Sequence, residues 1–273
     1  MDVILLGTGS PLPTPDRAGP ATLIRAAGQD ILVDCGRGVL MRLAAAGGSP
    51  VTLSTVLLTH LHSDHTTDLN DVITSRWAMS PIANPLTVVG PVGTALLVER
   101  TLTMLETDIG YRMAHHESLP EPPQIDVVEV TSGVVIDEGG LRVIAEPTDH
   151  APVHPTVGYR FEYQGGAIAI AGDTVPCDGL DRLVAGADVY VQTVIRPDQI
   201  ALLPFPRIQD VIDYHSSVEQ AAATATRGGV RTLLMTHPVP PPMHGTEAEW
   251  EDMARSGFSG QVILGADLTK LTV

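Results

Sequence analysis

The stretch TVLLTHLHSDHTTDL, from Thr55 to Leu69, sets His60, His62, Asp64 and His65 within six residues directly after an apolar, β-branched run. A run of this kind reads as a buried strand. Polar donors crowded at its end need either solvent or a common partner. Imidazole with carboxylate is the ligand set that suits zinc and other first-row divalent ions. If TVLLT is a strand, the two-residue spacing sends His60 and His62 to one side, while Asp64 and His65 open the next helix and face a second site. The density of donors points to two ions rather than one.

Four donors do not complete two coordination shells, so the rest must come from elsewhere in the chain. LRVIAEPT runs into Asp149 and His150, AIAIAG into Asp173, and RTLLMT into His237. Each donor follows the carboxyl end of an apolar run, where sheet proteins collect ligands. Taken alone, each has a plainer reading: a loop histidine, or an aspartate bonded to its own turn. Their agreement with the dense cluster favours a shared site.

Twelve short apolar runs read as strands: VILLG, ATLIRA, DILVD, TVLLT, LTVVG, DVVEV, LRVIAE, VGYRFEY, AIAIAG, DVYVQTV, RTLLMT and QVILG. Helical patterns fall at Arg37–Ala46, His65–Met79, Val92–Leu105, Ser217–Arg227 and Glu247–Ser256. The mixture predicts an α/β protein. LPEPPQ and PVPPPMH are short rigid loops rather than linkers, so residues 1–273 read as one domain.

The formal charge of −16, a single lysine (Lys270) and scattered arginines argue against a surface that holds nucleic acid stably. Two cysteines, Cys35 and Cys177, are too few for a disulfide framework. MDVILLGTGSPLP lacks the basic start and long apolar core of a signal peptide, and no apolar stretch approaches membrane-spanning length. These features predict a cytoplasmic protein without a membrane partner.

HLHSDH with Asp173 and His237 resembles the metallo-β-lactamase superfamily. LLGTGSPLPTPDRAGPATLIR, LVDCGRG, DHAPVHPTVGYR, AGDT and YHSSVEQAA narrow the resemblance to the branch of ribonuclease Z and the metal-dependent arylsulfatases. The fold this implies is a four-layer αββα sandwich with a dinuclear site at one edge. The ligands implied are His60, His62 and His150 for the first ion, Asp64, His65 and His237 for the second, and Asp173 bridging. His154 rivals His150, because it also precedes GYR. The ions expected are zinc, with manganese or iron as alternatives.

Two ions about 3.5–4 Å apart share a water, bring its pKa towards neutrality and polarise an ester oxygen. Asp64 is thereby expected to be essential to catalysis. Asp34, ending ILVD, is a candidate to orient a ligating imidazole. His215 precedes Ser216 and Glu219, which fit a capping box, and a histidine beside a helix start can meet a substrate oxyanion. The resemblance gives His215 a catalytic role. It also implies a homodimer. Arg37, Arg76, Arg112 and Arg196 are candidates to meet an anionic group, and IALLPFPRIQ is a candidate pocket wall or dimer seam.

Two departures matter. Only 12 residues, Phe161 to Gly172, separate GYR from Asp173, room for a tight turn at Gln164-Gly165-Gly166 but not for the tRNA-gripping arm of many ribonuclease Z proteins. Gln192 and Thr193 stand where a His-Glu pair is usual, leaving His215 without that proton-transfer partner. The expected activity is hydrolysis of a phosphodiester, on an RNA 3′ end or a small anionic ester. The alternatives are a sulfate ester, a lactone or thioester, or a metal-binding scaffold without turnover.

Overall fold

The computed structural model describes residues 1–273. Fourteen strands follow in order: β1 Asp2–Gly7, β2 Ala21–Ala26, β3 Gln29–Val33, β4 Leu53–Leu57, β5 Leu86–Gly90, β6 Ile125–Glu129, β7 Gly133–Glu138, β8 Leu141–His150, β9 Val153–Tyr163, β10 Gly166–Ile170, β11 Val189–Ile195, β12 Thr232–Val239, β13 Gln261–Leu264 and β14 Lys270–Thr272. The helices are α1 Val39–Ala45, α2 Ser63–Thr66, α3 Leu69–Met79, α4 Thr94–His115, α5 Asp178–Val184, α6 Pro197–Ile200, α7 Pro206–Gln209, α8 Val218–Arg227 and α9 Glu247–Arg255.

The strands form two seven-stranded sheets, ordered β14-β1-β2-β3-β4-β5-β6 and β13-β12-β11-β10-β9-β8-β7. Strand alternation explains the layers. In β1, Val3 and Leu5 face the second sheet, while Ile4 and Leu6 face helices; in β11, Val189 and Val191 point inward and Tyr190 and Val194 outward. One core therefore lies between the sheets, built on Leu5, Leu57, Tyr159, Phe161 and Leu234. A second joins the first sheet to α1 and α3, and a third joins the second sheet to α5, α8 and α9 through Tyr190 and Trp250. The result is the expected αββα sandwich. Each large side chain buried this way contributes roughly 1.5–3 kcal/mol. No helix is long and apolar enough to cross a membrane.

All twelve expected strands form, and β7 and β14 were not foreseen. β7 is short and largely exposed, so it carries no buried apolar run. The expected helix His65–Met79 is broken into α2 and α3, because Asp68 sends its backbone N–H to Cys35 O at 2.9 Å. The expected helix Val92–Leu105 continues to His115 along a face that leaves Met104 and Tyr111 exposed. The capping box lies one residue later than expected, between Ser217 and Gln220. Ser216 is unavailable as a cap: it is buried, and its hydroxyl donates to Thr174 O at 2.7 Å. β9 and β10 are joined by a two-residue turn, Gln164-Gly165, with φ of 50° and 83°. Positive φ at both positions is the type I′ hairpin geometry.

Tyr159, fully buried in the second sheet, donates its hydroxyl to Leu58 O of the first at 2.9 Å, just ahead of His60. Tyr159→Phe is expected to lower the unfolding free energy by about 1 kcal/mol, the net value of one such bond. A urea titration should show an earlier midpoint at unchanged slope; an unmoved midpoint would refute a stabilising bridge.

Candidate metal centre

Both sheets end at one edge, and there the expected donors converge. His60 and His62 lie in the loop after β4, Asp64 and His65 on α2, His150 at the end of β8, Asp173 beyond β10, and His237 within β12. They form two groups, His60, His62, His150 and Asp173 in one and Asp64, His65 and His237 in the other, with ligand atoms within 4.8 Å of one another in each. All seven expected ligands are thus brought together. His154 is exposed, whereas His150 is buried within the first group.

Hydrogen bonds behind the rings decide which nitrogen each offers. His60 Nδ1 lies 3.1 Å from Thr59 Oγ1, and that hydroxyl itself donates to Asp34 Oδ2 at 2.9 Å. His150 Nδ1 donates to Tyr214 O at 2.8 Å, and His65 Nδ1 to Asp34 Oδ2 at 2.8 Å. With Nδ1 committed, each ring turns an Nε2 lone pair inward. His60 Nε2 and His150 Nε2 lie 3.1 and 3.3 Å from His62 Nδ1. Three imidazole nitrogens converging this closely are suited to a shared cation. His65 Nε2 is buried without any hydrogen-bond partner. Three nitrogens and a carboxylate in the first group, and two nitrogens with Asp64 in the second, fit a zinc-type divalent ion.

Charge at the site agrees. Burial pushes His60 well below its ordinary pKa and His150 down to about 4, so both are neutral and able to ligate. Burial would raise Asp173, but His237 and His65 outweigh it and hold the carboxyl well below its usual range. Asp64 is lowered too, by the His237 hydrogen bond against burial. Burial pulls His65 and His237 down, yet Asp173 and Asp34 raise His65, and Asp173 and Asp64 raise His237. Buried ionised carboxylates at this point require positive charge.

Asp34 sits directly behind the donors. It accepts Thr59 N at 2.8 Å besides Thr59 Oγ1 and His65 Nδ1, so one carboxylate orients both the loop and a ligand. Its φ is 62°, a left-handed conformation that Asp tolerates better than most residues. Two residues on, Gly36 is required by close approach. A Cβ there would lie 2.3 Å from Gly19 C and 2.7 Å from the backbone oxygen of Asp64.

His215 does not stand free at a helix start. Its Nδ1 donates to Val211 O at 2.9 Å and its Nε2 lies 3.3 Å from Asp173 Oδ2. Thr193 faces the donors: its hydroxyl donates to Asp173 Oδ1 at 2.7 Å. Gln192 turns away, bonded to Tyr190 and to Thr193 O. The four arginines expected near an anion are otherwise engaged. Arg76 donates to the carbonyls of Pro50, Val51 and Pro85, Arg112 pairs with Asp108, Arg196 pairs with Asp198, and Arg37 reaches Ser10 O. The arginine that does line the cleft over the site is Arg207, within the proline-stiffened segment that the sequence singled out as a wall. A larger cleft of about 230 Å³, between α3 and residues 118–125, contains none of these donors.

Asp34→Asn is expected to weaken binding of one divalent ion by about 10–100-fold, as for other residues that orient ligands. Metal titration by calorimetry reads this directly, and unchanged affinity would remove the orienting role. For His150 the folded pKa, about 4, lies below the unfolded value of 6.5. Its contribution to stability is thus present above pH 6.5 and lost as pH falls towards 4. Chelator-treated protein should lose roughly 2–3 kcal/mol more over that interval than chelator-treated His150→Asn; parallel pH profiles would contradict the assignment.

A family model described as the beta-lactamase superfamily domain matches residues 29–238. Ribonuclease Z of Mycobacterium avium (strain 104) is 57% identical over 275 residues, covering 100% of this chain and 98% of the relative. Ribonuclease Z of Mycobacterium tuberculosis (strain H37Rv) is 52% identical with the same coverage. Among solved structures, the metallo-β-lactamase fold protein YhfI from Bacillus subtilis superposes with a TM-score of 0.78 at 19% identity, covering 99% of this chain and 98% of its own. The short form of human tRNase Z gives 0.72 at 23%, covering 100% and 99%. The last two similarities establish the fold alone. By the family match and the identity of its relatives, the chain belongs to the β-lactamase superfamily and, within it, to the ribonuclease Z family.

Proposed function

We propose that the chain is a dinuclear metal-dependent phosphodiesterase of the ribonuclease Z type, acting on RNA 3′ ends or small phosphodiesters. The observation that carries this is the pair of donor groups meeting at Asp173. His60, His62 and His150 would hold one ion, Asp64, His65 and His237 the other, and Asp173 both. Zinc suits these ligands best, manganese and iron being the alternatives. When bound, the ions would supply an activated water and polarise the ester oxygen.

The chain's own residues do the rest. Asp34 keeps His65 in one orientation. His215 Nδ1 donates to Val211 O, so Nε2 carries the lone pair of the neutral ring and is the atom that would take up a proton and pass it to the leaving oxygen. Leu12, Ile208, Val211 and Val239 wall the cleft and limit water beside the ester. The two-residue β9–β10 turn motivates a second reading, a sulfate ester hydrolase. Alignment over 275 positions leaves no room for a long arm in the M. avium ribonuclease Z either, which favours the phosphodiesterase.

The acidic surface fits transient rather than stable contact with RNA. We also read residues 1–273 as a single domain, cytoplasmic and homodimeric; the free Cys35 and Cys177 fit a reducing compartment.

Protein purified without chelator should carry about two equivalents of divalent ion. Asp64→Ala should lower hydrolysis of bis(4-nitrophenyl) phosphate by at least about 100-fold while circular dichroism is unchanged. Retained turnover contradicts the second ion. Turnover of 4-nitrophenyl sulfate without the phosphodiester moves the reading to sulfate esters.

A further inference from the structure

Four of the candidate ligand rings turn Nε2 towards the donor groups, and behind three of them the chain supplies a partner for Nδ1: Thr59 for His60, Asp34 for His65 and Tyr214 O for His150. His237 is the exception. Its Nε2 lies 3.1 Å from Asp64 Oδ2, while its Nδ1 is buried and meets no hydrogen-bonding atom of the chain. A neutral imidazole that offers Nε2 to an ion carries its proton on Nδ1, and a buried N–H left unpaired is costly to the fold.

The His237 ring borders a cavity of about 20 Å³ between the two sheets, walled also by Gly7, Thr22, Asp34, His65, Thr193 and Thr236. The residues lining it are buried, except for Gly172 and Thr236, which are partly so. Strand alternation turns Thr22 the same way as Ile24 on β2, and Thr236 the same way as Leu234 on β12, and both of those belong to the core between the sheets. Two hydroxyls thus interrupt an otherwise apolar face. Thr193 donates to Asp173 Oδ1, whereas the Thr22 and Thr236 hydroxyls form no hydrogen bond within the chain. A buried water requires roughly 10–15 Å³ of such space and two to four polar partners, and the cavity meets both conditions. The Nδ1–H group disfavours a cation there and the Asp34 carboxylate an anion, which leaves a neutral molecule of water size.

We propose that an ordered water in this cavity accepts a hydrogen bond from His237 Nδ1, donates to the Thr22 and Thr236 hydroxyls, and so holds the ring with Nε2 turned to Asp64 and Asp173. The water does for His237 what Thr59, Asp34 and Tyr214 do for the other rings. Its consequence for an ion rests on the dinuclear reading above: Thr22 and Thr236 act through the water as positioning residues for the ion of Asp64, His65 and His237.

The test joins a crystal structure of zinc-loaded protein, at a resolution that orders internal waters, to calorimetric zinc titration of two double variants. Thr22→Val with Thr236→Val keeps the side-chain shapes and removes both hydroxyls; Thr22→Ser with Thr236→Ser keeps the hydroxyls. The parent structure should show a water within hydrogen-bond distance of His237 Nδ1 and of both hydroxyls. The valine pair should lose that water and bind one of the two ions about tenfold more weakly, with the other unchanged. The serine pair should bind both as the parent does. The proposal is overturned if no water lies on Nδ1, if the valine pair binds both ions as the parent does or loses both alike, or if the serine pair weakens as much as the valine pair. The parent structure decides whether the water is there even where a variant does not fold. A water on Nδ1 in a protein that takes up fewer than two ions would keep the hydrogen-bonded ring and reject the dinuclear reading.

Discussion

One carboxylate oxygen, Asp173 Oδ2, lies 3.3–4.0 Å from nitrogens of His60, His65, His150, His215 and His237. The chain can surround it in this way only if both sheets end at the same edge, because the five rings come from the β4–α3 connection, β8, the segment before α8 and β12. The site is thus a property of the sandwich rather than of any one segment. Burying an ionised carboxylate is costly unless it is paired and hydrogen-bonded. Thr193 meets the other oxygen of Asp173 from β11, so both oxygens are accounted for.

The backbone near this oxygen is held in conformations that ordinary loops avoid. Asp34 and His237, one supporting a candidate ligand and one a candidate ligand itself, both have positive φ, at 62° and 51°. Each such residue costs on the order of 1–3 kcal/mol and persists where its surroundings over-determine it. For Asp34 the surroundings are three donors on one carboxylate; for His237 they are the Asp64 contact at 3.1 Å and complete burial of the ring. Gly36 extends the same constraint to its neighbours, since the backbones of Gly19, Pro20 and Asp64 leave no room for a side chain.

The ligands were legible because each follows an apolar run that forms a strand from local pattern alone. His60, His150 and Asp173 needed no tertiary knowledge beyond the idea that strand ends gather. What escaped the sequence depends on contacts between distant segments. The break at Thr67–Asp68 follows from Asp68 reaching Cys35 O, and the shifted cap from Ser216 reaching Thr174 O. The contact made by Thr193 was hidden because its hydroxyl's target, Asp173, lies in the loop after another strand. Arg207 gave no signal in a scattered arginine set; its place in the cleft wall is visible only in the folded chain.

The same contacts bear on how His215 works without a neighbouring carboxylate on its far side. A glutamate behind the ring would both fix the tautomer and stabilise the imidazolium. Val211 O fixes the tautomer equally well, since a carbonyl accepts the Nδ1 proton at 2.9 Å, but it adds only a dipole where a charge would stand. The carboxylate nearest the ring is Asp173, whose Oδ2, 3.3 Å from His215 Nε2, also faces the candidate ligand rings. In the proposed reaction, proton transfer and metal binding would thus draw on a single oxygen. The Gln192-Thr193 pair therefore changes who assists His215 more than whether it is assisted: Gln192 is spent on Tyr190, while Thr193 steadies the carboxylate that takes over.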